Sequence, residues 1–145
     1  MNVINKAMQL GLATLLVSAC ETREFVLPPG DVEQGKVAFV DLGCNNCHNV
    51  TDQIEHASFE EGGIHVELGG TVTRVKTYAD LVTSIINPSH KLSRGVNKMT
   101  MTEDGQSRMP VYNDIMTVQQ LVDITAFLEG TYQVWVPPYN VYYYP

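Results

Sequence analysis

Residues 44–48 read CNNCH, two cysteines three apart with a histidine directly after the second. This stretch decides how the rest of the chain is read, because three chemistries use a C-x-x-C pair: a zinc ion, a redox-active dithiol and a covalently attached haem. Each requires different company. The chain has only three cysteines, and Cys20 stands far from the pair, so a four-thiolate zinc site has no second pair of thiolates. His56, His65 and His90 are scattered, whereas structural zinc ligands come in closely spaced pairs.

A thioredoxin-like dithiol sits where a strand feeds a helix in an α/β unit. The stretch before the motif, GDVEQGKVAFVDLG at 30–43, reads instead as a helix. Asp31 is a good N-cap, with Gln34 placed to complete a capping box, and Val32, Ala38, Phe39 and Leu42 fall on one face. The haem reading uses every residue of the motif: both thiols add to vinyl groups and the adjacent imidazole of His48 binds the iron. On a turn of helix those three side chains can point to one side of the chain.

Such attachment takes place outside the cytoplasm, and the first residues suit export. Lys6 precedes an apolar run, Ala7 to Val17, too short to span a bilayer. It ends in Val17-Ser18-Ala19-Cys20, which resembles the lipobox of bacterial lipoproteins, where cleavage leaves the cysteine first and lipidated. An ordinary secretory signal with Cys20 as a spare thiol is the plainer alternative. Export, to the periplasm or cell envelope of a bacterium, follows from either.

An iron held by His48 needs a second ligand for electron transfer or an open position for gas or peroxide chemistry. Met99, Met101, Met109, Met116 and the three other histidines are candidates. Met109 lies in SRMPVYND, a polar loop before the last helix, and Pro110 fixes the chain direction after it. Met116 suits core packing. Met99 and Met101, in NKMTMTEDGQ, are reserve candidates, and His90 is the best bis-histidine rival. His56 and His65 flank a glycine-rich acidic stretch and are expected to be exposed. Glu60-Glu61 reads as a solvated acidic turn.

Taken in order, the helix with Gly35 and Phe39, then CNNCH, YADLVTSIINP, RMPVYND and the closing TVQQLVDITAFLEG resemble a class I, single-haem c-type cytochrome over residues 30–130. The resemblance implies thioethers at Cys44 and Cys47, His48 as proximal ligand and Met109 as distal ligand of one covalent haem c. It also implies that Gly35 and Phe39 lie where the first and last helices cross. A proline before a Leu-x-Gly segment usually offers its carbonyl to the proximal imidazole. Here HVELGG aligns with that segment and Val66 replaces the proline, and a backbone acceptor does not depend on the side chain.

The fold expected on these grounds is all-α, with three main helices and long loops around the macrocycle. Thr77 with Asp80 and Thr117 with Gln120 read as capping boxes opening the second and third helices. Leu81, Val82, Ile85 and Ile86 give the second helix its buried face, and Asn87-Pro88 ends it. Leu121, Ile124, Thr125 and Leu128 line the third, closed by Gly130. TVTRVK at 71–76 alternates like a strand and suits a short hairpin, or its Arg74 or Lys76 faces a haem propionate, or both are simply solvated. The organisation read from the sequence is a signal peptide at 1–19, a tether at 20–30, the haem domain at 31–130 and an aromatic, proline-rich extension at 131–145. That extension either wraps the body or docks a partner.

The formal charge of -7 disfavours nucleic acid and favours redox partners with a basic docking surface. No Ser-His-Asp set, phosphate loop or paired-carboxylate site is spaced for catalysis, and no organic substrate is needed. The expected function is one-electron transfer by a membrane-anchored carrier rather than an enzyme, free-standing or as the haem subunit of a larger redox complex. The alternative is a haem-based gas sensor or small peroxidase with a weak or absent distal ligand.

Overall fold

A computed structural model describes residues 27–57, 63–74, 76–92 and 100–136. Cys20 and the leader, Met99, Glu60-Glu61 and residues 137–145 lie outside the described residues. The helices run Val32–Asp41 (α1), Tyr78–Ile86 (α2) and Val118–Glu129 (α3). Among the described residues no helix is long and apolar enough to cross a membrane.

α3 is the centre of the structure. Leu121, Val122, Ile124, Thr125, Phe127 and Leu128 are all buried on it, as is Asp123, so the burial extends well beyond one stripe. A helix buried on several faces needs partners on more than one side. α1 packs against one side and α2 against another. Gly35 makes the α1 crossing possible: any Cβ there would overlap the carbonyl group of Asp123 and press on Phe127 Cβ. Glycine inside a helix costs roughly 1 kcal/mol relative to alanine, and here the close approach it permits seats Phe39 against Phe127. Those two rings meet edge-on at 6.0 Å and 67°, a geometry aromatic quadrupoles favour.

Capping is partly local and partly tertiary. Thr77 and Asp80 form the expected box at the start of α2, and Thr117 and Gln120 do so for α3. At α1 the Asp31 carboxylate accepts from the Glu33 and Gln34 N–H groups. The Asp31 N–H, however, donates to Asp123 Oδ1 at 2.8 Å rather than to Gln34. A buried carboxylate on α3 therefore completes the cap, and Gln119 Nε2 also donates to it at 2.8 Å. Ala38 and Phe39 are buried as expected and Leu42 packs on the core, but Val32 is half exposed because α1 leaves that side open.

The all-α expectation is wrong. The described chain holds four strands besides its three helices: His48–Val50 (β1), Val66–Leu68 (β2), Gly70–Val72 (β3) and Tyr132–Val134 (β4). β1 pairs with β2 and β3 with β4, both in parallel, as two separate two-stranded sheets. The loops expected to be irregular thus satisfy their backbone groups by pairing across the domain. Gly69, at φ 82°, turns the chain from β2 into β3, and a side chain there would meet Thr131 Oγ1. Part of TVTRVK is a strand as read, yet its partner is β4 and not an adjacent hairpin arm. β4 opens the C-terminal extension, and the Trp135 N–H donates to the Val72 carbonyl at 2.9 Å, so this part of the extension is pinned to the body.

Candidate functional site

The CNNCH motif begins where α1 ends. Cys44–Asn46 is a 3-10 turn and His48 opens β1, so the motif spans a turn and a strand start, not one helical turn. Cys44 and Cys47 are free thiols, each half-buried. Burial pushes the Cys44 thiol up to about 11, its own backbone hydrogen bond opposes this, and Cys47 adds to it. A nucleophilic redox dithiol needs a thiol shifted the other way.

His48 is held by the β1–β2 pairing. In that register His48 stands beside Val66, and its Nδ1 lies 3.2 Å from the Val66 carbonyl oxygen. A carbonyl only accepts, so Nδ1 carries the proton and Nε2 keeps its lone pair for a ligand. The backbone acceptor is therefore in place although valine stands where proline was expected. Burial lowers the imidazole's pKa, the bond to Val66 opposes that shift, and His56 reinforces it. A neutral imidazole is the form that binds a metal. Phe39 backs the ring at 6.4 Å between centroids, so the α1–α3 core stands behind the proximal side.

A cavity of about 510 Å³ opens in front of these groups, inside the roughly 300–1,000 Å³ range of ligand and cofactor sites. Cys44, Cys47, His48 and Met109 all line it, and Leu68, Leu81, Ile85 and Leu128 supply apolar walls. A second, wholly apolar hollow of about 40 Å³ also touches Cys44, His48 and Met109, with Met116 on its wall. Met116 packs against the core, as its position suggested.

The rival ligands are placed elsewhere. Met101 sits in a tight turn, bridged to Ser107, and is not among the cavity-lining residues. His90 is exposed, with its Nδ1 2.8 Å from the Asn87 carbonyl oxygen, and does not line the cavity. His56 is half-buried and not exposed as expected, with its ring 4.1 Å from that of the exposed His65 and its Nε2 3.3 Å from the Ile64 carbonyl. Among the described residues no group of three or more His, Cys, Asp or Glu side chains could hold a metal ion. Among the described residues, the cavity lining includes two thiols, one imidazole and one thioether.

The polar lining includes Lys76, Lys91 and Arg108, with Asp80, Ser84 and Ser107. Of the two cations weighed for a propionate, Lys76 lines the cavity and Arg74 does not. Lys91 pairs with Asp80 at 3.7 Å, with both side chains well exposed, so that pair adds little stability. The fit to a covalently attached haem is good: the thiols and imidazole come from one short segment, a thioether also faces the space, most walls are apolar, and cations are available for two carboxylates.

Sequence reasoning passed over Arg108, Lys91 and Tyr112. Arg108 was within reach, since any loop that delivers Met109 delivers its neighbour. Tyr112 lines both hollows, and its hydroxyl is pushed up by burial first and then by Cys44 and Cys47. Its position three residues after Met109 was the available signal. No family model, no curated protein and no solved structure matches the chain.

Proposed function

We propose that the protein is a one-electron carrier in which a single haem would be held by thioethers from Cys44 and Cys47 and its iron bound by His48 and Met109. Bound there, the haem supplies reversible one-electron exchange at its iron. The observation that carries the reading is that these four residues line one cavity of about 510 Å³. Cys44 and Cys47 would hold the haem by adding their S–H across its vinyl groups, an addition that would release nothing and consume no oxidant.

His48 donates from Nδ1 to Val66 and keeps Nε2 as the ligating atom. Met109 offers a neutral thioether, which raises the reduction potential relative to a second imidazole. Leu68, Leu81, Ile85 and Leu128 would keep water off the macrocycle, while Lys76, Lys91 and Arg108, which line the same cavity, would face its carboxylates. A haem held by both His48 and Met109 would exchange electrons and call for no organic substrate. It serves redox partners, either as a free carrier or as the haem subunit of a larger complex.

The formal charge of -7 suits a partner with a basic docking surface, through steering at low salt. Export and lipidation at Cys20 would hold the carrier to a membrane in the bacterial periplasm or cell envelope. The test is covalent attachment. After co-expression with haem-attachment machinery, the haem should stay with the denatured chain through acid–acetone extraction. The Cys44→Ala/Cys47→Ala variant should release it. Full extraction from the unaltered protein contradicts the reading.

A further inference from the structure

Met109 sits half-buried on a polar loop between α2 and α3. Two hydrogen bonds bracket it, one ending in the turn just after α2 and the other at the last residue of α2. Two residues before Met109, the Ser107 N–H donates to Ser89 Oγ at 3.0 Å. Four residues after it, Asn113 Nδ2 donates to the Ile86 carbonyl at 3.1 Å. Ile86 is the last residue of α2, and the last carbonyls of a helix have no partner within it. Asn113 takes one of them.

The segment between is stiffened locally. The Arg108 N–H donates to the Thr100 carbonyl at 2.9 Å, Met101 and Ser107 form an antiparallel bridge, and the Met109 N–H donates to Ser107 Oγ at 3.2 Å. That small turn then carries Met109, and it is tied to Ser89 in the turn just after α2 and, through Asn113, to the Ile86 carbonyl at the end of α2. α2 also supplies Leu81 and Ile85 to the cavity wall. The clamp therefore fixes the thioether relative to the same helix that shapes the cavity.

We propose that Ser89 and Asn113 are positioning residues that hold Met109 at the distal side of the cavity and so set how often that position opens. This rests on the reading of Met109 as the distal ligand. Asn113 is exposed and Ser89 half-buried, and neither belongs to the hydrophobic core. Their loss releases the loop while leaving the fold intact, a local opening rather than a global one.

The test uses the haem-loaded full chain and carbon monoxide, which binds the reduced protein only when Met109 leaves. The Ser89→Ala/Asn113→Ala variant should bind carbon monoxide on the order of tenfold faster than the unaltered protein, from the loss of two hydrogen bonds. Its far-red methionine-to-iron band should weaken, and its melting temperature should hardly move. Ser89→Thr, which keeps the hydroxyl, should restore the slow rate beside an intact Asn113. Met109→Ala is the reference for an open position, with fast binding and no band. If Met109→Ala binds fast but the double variant binds as slowly as the unaltered protein, the clamp is refuted and the ligand stands. If Met109→Ala itself changes nothing, the ligand assignment and the clamp both fall. Should the double variant fold poorly, Ser89→Ala alone is compared with Ser89→Thr, and equal rates overturn the proposal.

Discussion

The two sides of the cavity are built by different means. His48 is held by backbone pairing of β1 with β2, a carbonyl on its Nδ1, and the buried Phe39–Phe127 contact behind it. Met109 is carried by a loop tied through two small polar side chains, by Asn113 to the end of α2 and to Ser89 in the turn after it. The His48 side abuts the α1–α3 core, so it should open only when much of the domain does. On the reading proposed above, the Met109 side should open alone. In the proposed carrier this asymmetry would confine ligand exchange to one face and keep the other fixed.

The largest break in that comparison should come from Gly35→Val. Its side chain has no room against the Asp123 carbonyl and Phe127, so α1 must move off α3, at a cost above the roughly 1–3 kcal/mol of ordinary overpacking. Circular dichroism melting should show a lost or strongly lowered transition, and the His48 side should fail with the fold. A native-like melt would mean that the crossing is not what supports that side.

Asp123→Ala comes next. It leaves the Asp31 N–H and the Gln119 amide without their acceptor, which should lower stability by about 1–3 kcal/mol in denaturant titration. It should leave carbon monoxide binding to the reduced haem-loaded protein unchanged. The Ser89/Asn113 variant should do the opposite, and equal effects of both on both readouts would erase the distinction between the two sides.

Smaller still is the cap of α2, the helix to which the Met109 loop is tied. Thr77→Ala removes the two bonds that the Thr77 hydroxyl makes with Asp80 and should cost about 1 kcal/mol. The bonds from Thr77 hold the Asp80 carboxyl below its ordinary 3.8. Since the folded value is the lower one, this contribution is present above the ordinary value and is lost as pH falls through the folded value. Melting measured below pH 3.8 should therefore show a smaller gap between Thr77→Ala and the unaltered protein than at neutral pH.

What could be read beforehand follows the range of the interactions. α2 and α3 are announced by neighbours three residues apart, Thr77 with Asp80 and Thr117 with Gln120, and by apolar spacing on one face. Beyond the alternation of TVTRVK, strands of three residues offer little to read, and parallel pairing joins His48 to Val66 and Gly70 to Tyr132, partners that no local pattern connects. For the same reason the cap of α1 was assigned to nearby Gln34 when the acceptor is Asp123 on α3. On the candidate site, CNNCH and Met109 stand out by their chemistry, and the structure brings Cys44, Cys47, His48 and Met109 to one cavity. Ser89 and Asn113 are ordinary loop residues whose role comes only from where α2 ends.

The most direct test of the central claim, that one haem lies between His48 and Met109, is the optical spectrum of the purified haem-loaded protein in its oxidised and reduced states. The account predicts low-spin spectra in both, with a far-red methionine-to-iron band in the oxidised protein that disappears in Met109→Ala. A high-spin ferric spectrum without that band in the unaltered protein would contradict it, and would point to an open distal position of the kind a gas sensor or peroxidase uses.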